Sequence, residues 1–187
     1  RRTGSGALPA GMGFEVDYGA GISGAGRYVV YSGCRVKSLK MAFPANGNIT
    51  LQVDVVGAGV DADNVATVDS SPTDTGHNAW KAQKATWVFD SGSLSVCLES
   101  CELTIDNDLD TERWCVGNDG IRHDLPEGQF ILSGAGVAYF DTAALLNKAA
   151  ADTDAALVVT LTKGTGAGTA GNETLQITIP ALAFSRE

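Results

Sequence analysis

Charge and aromatic rings are both scarce in this chain. Of 187 residues, 19% are charged and 7% aromatic; a quarter charged is usual for a globular domain. A highly charged disordered tail is excluded. Basic residues are also short: 13 Lys and Arg against 22 Asp and Glu give a net charge of −9. A chain this acidic gains no affinity by releasing counterions from DNA phosphate, which argues against a conventional nucleic-acid binder. No apolar run approaches the ~18–20 residues of a membrane span. Arg1-Arg2-Thr3-Gly4 carries positive charge, but no apolar segment follows to complete a secretory signal. A fixed-period repeat is also lacking. Collagen, a coiled coil and a disulfide mini-protein drop out with these shortages.

The chemistry of catalysis is thinly represented. The only histidines are His77 and His123, both in polar segments. Neither a GxSxG elbow nor an HExxH zinc motif occurs. Carboxylates are plentiful, but spacing alone selects no acid–base pair for glycoside chemistry. The sequence therefore nominates no catalytic, cofactor-binding or metal-binding residue and no cofactor, and the chain reads as a non-enzyme.

What is abundant is glycine, at 23 residues, beside a 44% hydrophobic content. That mixture predicts many turns between short strands. At this length a single domain over residues 1–187 is the expectation, with roughly 70% of its unfolded surface buried on folding. Four cysteines are present, Cys34, Cys97, Cys101 and Cys115. If residues 97 to 101 are extended, four steps of ~3.3 Å put that pair ~13 Å apart. A disulfide needs Cα atoms within ~7 Å, so the pair bridges only across a turn. Four reduced thiols in a protein made in the cytosol is the reading preferred over a zinc site of Cys97, Cys101, Cys115 and His123, which lacks a second clean ligand pair.

Other motifs are weak. Gly19 to Gly24 and Gly166 to Gly171 match GxGxxG, but each leads into a strand pattern and not a helix, which removes the phosphate site. Asp106-Asn107-Asp108-Leu109-Asp110 resembles the start of a calcium loop. Its sixth position is Thr111 where Gly is needed, and its twelfth is Gly117 where a bidentate Glu is needed. A strand end running into an acidic turn is the simpler reading. Trp80, Trp87 and Trp114 are the residues from which a sugar-stacking platform would be built, though core or interface positions are more usual for them.

Along the chain, residues 1 to 26 are Gly-rich and read as loop. Residues 27 to 43 read as strand with a break at Gly33. Asn46-Gly47 favours positive φ and a tight hairpin. Residues 49 to 56 alternate cleanly, with Ile49, Leu51, Val53 and Val55 on one face and Thr50, Gln52 and Asp54 on the other. Residues 57 to 84 form a long acidic loop or insertion with little apolar periodicity. Trp87-Val88-Phe89 returns the chain to the body. Residues 94 to 98 and 102 to 106 read as two strands. Residues 129 to 140 read as a strand interrupted at Gly134 and Gly136. Asp141 is placed to cap a helix over Ala143 to Ala150. Strands at 157 to 162 and 174 to 179 flank a Gly-rich hairpin loop. The fold class is mainly β and antiparallel, with one short flanking helix.

Several of these segments, taken in order, resemble the major tail tube protein of tailed bacteriophages. They are Gly33 to Met41 leading through Asn46-Gly47 into Ile49 to Gly57, then Glu102 to Leu109, then Glu127-Gly128 through Ser133-Gly134 to Tyr139-Phe140-Asp141 and a helix, and last Leu175 to Pro180. The resemblance runs from about residue 27 to 180. It implies a β-sandwich or half-barrel of the tail tube type. It implies a structural virion protein whose copies close into hexameric rings. The rings stack, alongside other tail proteins, into a hollow tube. DNA passes through that tube without sequence-specific binding, and no membrane is involved. The protein would reside in the virion tail after synthesis in the host bacterial cytoplasm. Longer members of the family carry an N-terminal region and a last strand that look absent here. The loop at 57 to 84 is a candidate ring-to-ring contact. The competing expectation is a secreted or displayed β-sandwich module that binds glycan through its tryptophans.

Overall fold

The computed structural model describes residues 12–19, 27–64, 66–68, 70–71, 73, 79–92, 97–117, 120–139, 143–169 and 171–184. The chain is mainly β with antiparallel sheets and one helix. The strands are β1 (Met12–Asp17), β2 (Tyr28–Phe43), β3 (Thr50–Val56), β4 (Gly59–Asn64), β5 (Ala85–Phe89), β6 (Leu98–Asp106), β7 (Ile131–Ala138), β8 (Ala155–Thr162) and β9 (Thr174–Leu182), and the helix is α1 (Ala144–Ala150). One sheet runs β1-β2-β6-β7, with β3 and β4 also paired to β2; a second runs β5-β8-β9. The chain divides into two compact units. The first comprises Arg1–Lys40, Gln52–Thr75 and Thr104–Ser133, the second Met41–Leu51, Gly76–Leu103 and Gly134–Glu187.

The core of the second unit is built on β8. The run Ala155-Ala156-Leu157-Val158-Val159-Thr160-Leu161-Thr162 alternates, and Ala155, Leu157, Val159 and Leu161 are all buried. Strand β8 lies between its two partners, so Leu157, Val159 and Leu161 each face a residue on either side: Trp87, Val159 and Ile177 are in register, as are Phe89, Leu157 and Ile179. Burying a Leu or Val side chain contributes about 1.5–3 kcal/mol. Phe43 at the end of β2 meets Trp87 edge to face, with ring centroids 5.0 Å apart. Asp90 ends β5 in a left-handed turn, φ 45°, and its carboxylate accepts the Ala156 N–H at 2.8 Å. Lys148 on α1 forms an ion pair with the same carboxylate. Helix α1 is thereby tied to the β5 turn. No side-chain hydrogen bond caps it at Ala143, and Asp141, the expected cap, lies outside the described residues.

The Asn46-Gly47 turn joins β2 to β3 as expected, with Gly47 at φ 123°. The 57–84 stretch, expected as a long loop, carries β4 near its start, held by pairing with β2, and its end closes over this turn. Ile49 N–H donates to the Trp80 carbonyl at 2.8 Å, and Ala82 N–H to the Gly47 carbonyl at 3.0 Å. The Gly-rich 163–173 segment is the expected hairpin loop, where the Asn172 side-chain oxygen accepts the Thr165 N–H at 2.8 Å. Residues 98 to 106 form one continuous strand and not two. Residues 93 to 96, where the first of the two was expected, lie outside the described residues. Strand β7 also runs unbroken through Gly134 and Gly136. A Cβ on Gly134 would sit 2.9 Å from the Glu102 carbonyl oxygen, so glycine here allows close approach to β6. In both cases pairing with neighbouring strands outweighs local propensity.

The first unit centres on the N-terminal half of β2, which carries β1 on one side and β4 on the other. Strand β1 lies where the sequence reading placed a loop. Its pattern, Met12-Gly13-Phe14-Glu15-Val16-Asp17, has period two, but glycines on both sides mask it. The expected break at Gly33 is instead a bulge. The β1 partner shifts there, with Met12 opposite Cys34 and Phe14 opposite Tyr31, and Gly33 takes φ 61°. Residues 107 to 130 connect β6 to β7. They are anchored by buried Leu109 and Leu125 and by Arg122. The Arg122 guanidinium donates to the carbonyls of Gly57 at 2.8 Å and Thr111 at 2.9 Å and lies 4.4 Å from the centre of the Trp114 ring.

Gly33→Ala is expected to destabilise the chain by about 1–3 kcal/mol. A Cβ at Gly33 would meet the Ala58 Cβ at 2.9 Å in a left-handed backbone. Chemical denaturation measures the change; an unchanged midpoint would show that the bulge relaxes freely.

Candidate assembly surface

The residues weighed for small-molecule or metal chemistry are dispersed or already engaged. Cys34, Cys97, Cys101 and Cys115 are all free thiols, with Cys34 buried and Cys97 and Cys115 exposed. Cys97 and Cys101 belong to the second compact unit, Cys115 and His123 to the first. Burial raises the Cys101 thiol to about 11, which keeps it protonated at neutral pH. Among the described residues no group of three or more His, Cys, Asp and Glu could hold a metal ion. The carboxylates of the calcium-like segment serve the local backbone. Asp106 accepts the Asp108 N–H at 2.8 Å, and Asp110 accepts the Glu112 N–H at 3.1 Å and pairs with Arg113 at 3.0 Å. His77 and most of the first GxGxxG stretch lie outside the described residues. Trp87 packs on Phe43 and Trp114 lies under Arg122, while Trp80 and Trp87 fall in one unit and Trp114 in the other.

The distinctive surface is made of strands. Strand β1 is exposed along its whole length, and β7 along nearly all of its length. Strand β3, the cleanest amphipathic pattern in the sequence, buries neither face: Leu51 and Val53 are exposed. Among the described residues, β3 and β4 pair only with β2, and β7 only with β6, so each offers an outer edge. Unpaired strand edges present rows of N–H and C=O groups that another chain can complete. Exposed apolar side chains beside such edges add the hydrophobic half of an interface.

The charges on these strands are fixed and acidic. Ser38 Oγ donates to Asp54 Oδ2 at 2.6 Å, and Gln52 Nε2 donates to Asp54 Oδ1 at 3.2 Å. Those bonds, Ser38 first, hold the Asp54 carboxyl below its ordinary range. At the end of β1, Arg27 Nε and Nη2 donate to Asp17 at 3.2 and 3.3 Å, and the Gly19 N–H donates to it at 2.7 Å. The Arg27 hydrogen bond is the larger cause of a lowered Asp17 pKa. Arg27 also lies 4.8 Å from the Tyr28 ring centre, which fixes where β1 and β2 begin to pair.

Exposed strand edges, exposed apolar side chains and an exposed acidic cluster are what this surface offers a partner chain. Comparison with known families agrees: residues 2–183 match the family described as phage tail tube protein. The chain belongs to that family. No curated protein matches it. Membership makes the tail tube protein a structural subunit of a phage tail. No described helix is long and apolar enough to cross a membrane.

The depressed pKa of Asp17 sets a pH dependence. The Asp17–Arg27 pair contributes stability above the ordinary aspartate value of about 3.9 and loses it as pH falls through the lower folded value. Thermal melts of the native chain and Asp17→Asn should therefore differ at pH 6 and converge in strong acid. A difference independent of pH would assign the effect of the substitution to packing.

Proposed function

We propose that this tail tube protein closes into hexameric rings by pairing its exposed strand edges. The rings stack into a hollow tube, and DNA passes through the lumen during genome delivery. The subunit acts structurally, with no catalytic step of its own, after synthesis in the host bacterial cytoplasm. The observation that carries this reading is the exposure of β1, β3 and β7, whose outer edges have no partner strand among the described residues. A ring of subunits joined edge to edge removes every such edge, as closure of a barrel does. The Ser38–Gln52–Asp54 surface supports the conduit reading. An acidic hydrated wall does not hold phosphate, and at physiological salt only charges within ~8 Å of the passing DNA act on it.

Negative-stain electron microscopy of the purified chain at high concentration, alone and with other proteins of its tail, tests the proposal. Six-fold rings or hollow tubes are expected. A chain that stays monomeric under both conditions overturns the ring-and-tube reading.

A further inference from the structure

Three strands of the first unit form a two-faced ribbon. Phe14, Tyr31 and Val60 are directly opposite one another across β1, β2 and β4, and Val16 is opposite Val29. Directly opposed residues of an antiparallel pair share a face, and positions two apart along a strand return to it. Phe14, Val16, Val29, Tyr31 and Val60 therefore form one apolar face. The reverse face carries Glu15 and Asp61, in register with Val30. Glu15 is engaged by Thr67 and Val68. The apolar face is not covered: Phe14 is 42% exposed, Val16 38%, Tyr31 37% and Val60 59%.

We propose that this face is a docking surface for a second copy of the chain. The inference rests on the tail tube reading and deepens it by naming one contact. Size supports it: at ~150–200 Å² for a whole side chain, the four exposed residues leave roughly 300 Å² of apolar surface bare. That matches the apolar centre of an interface of ~800 Å² per partner, with a polar rim still to be added. Like charge does not itself favour a second copy, but it decides where on the surface two copies can meet. Two copies each carrying −9 repel one another over most of their surface. None of these five side chains is ionisable besides the Tyr31 phenol, so here two copies approach with less repulsion and with apolar gain. A small ligand would need a concave site, which a sheet face does not supply.

The test compares the native chain with a Phe14→Lys, Val60→Lys double variant and with Val116→Lys, a control at a fully exposed apolar residue outside these three strands. Sedimentation velocity and electron microscopy give the critical concentration for assembly. Hydroxyl-radical footprinting of the native chain reads Tyr31 in the dilute and assembled states. The double variant should raise the critical concentration at least tenfold, with an unchanged melting curve in dilute solution, and Val116→Lys should assemble normally. Tyr31 should be labelled in the dilute chain and protected at least fivefold on assembly. Assembly of the double variant at the native concentration overturns the docking face and leaves the tail tube reading standing. So does Tyr31 protection in the dilute chain, since the chain then covers its own face. A native chain that never assembles overturns both. Should the double variant fail to fold, the footprint of the native chain decides alone.

Discussion

Sixteen residues of extended backbone, Tyr28–Phe43, carry the pairing of four other strands: β1 and β4 on the N-terminal half, with β3 and β6 also joined to β2. A strand this long cannot stay regular, because each residue adds right-handed twist. The bulge at Gly33 absorbs one residue of register between the stretch facing β1 and the stretch beyond it. It also brings Ala58 close, where the backbone passes from β3 to β4, and the Ala58 N–H donates to the Ser32 carbonyl at 3.0 Å. Arg122 then reaches the neighbouring Gly57 carbonyl and fixes the 107–130 segment in place. The Arg122 anchor of that segment thus sits on backbone that packs against one glycine in β2.

The second constraint is the mismatch between what is buried and what is patterned. The core of the second unit is narrow, centred on β8 and the side chains that face it. Meanwhile β1, β3 and β7 are regular strands whose side chains stay in solvent. In a monomer, such strands are an aggregation hazard that charge or proline at the edge would blunt. Here β1 keeps Glu15 and Asp17 and β3 keeps Asp54, but exposed leucine, valine and phenylalanine stand beside them, and β7 carries no charge at all. Their exposure is intelligible if assembly covers them, and membership of the tail tube family agrees with that logic.

Much of the architecture was legible because period-two alternation reports extended backbone directly. The Leu157-Val159-Leu161 row, the 174–179 strand, the Asn46-Gly47 turn and the β3 pattern all appear where the residues place them. Three features were obscured by competing signals. Strand β1 alternates as cleanly as β3, but its Gly-rich flanks suggest loop. The middle of β6, Glu99-Ser100-Cys101, has poor strand propensity, yet neighbours on both sides hold it in the ladder. The 107–130 segment is ordered by Arg122, Leu109 and Leu125, whose partners are distant in sequence, and no local pattern announces such contacts.

The candidate surface was legible only in half. Alternation tells which residues share a face; it does not tell what covers that face. Leu51 and Val53 in β3 and Leu157 and Val159 in β8 have the same apolar period, but the first pair is exposed and the second buried. Partner strands alone do not decide it: Leu157 and Val159 lie between two partners and are buried, while Tyr31, also between two partners, is exposed. An amphipathic strand is therefore a statement about an interior, and the sequence leaves open whether that interior lies within one chain or between chains. In this chain the uncovered β1–β2–β4 face points to the second case. Charge keeps separate copies apart over most of the surface, and the apolar face is where that repulsion is weaker.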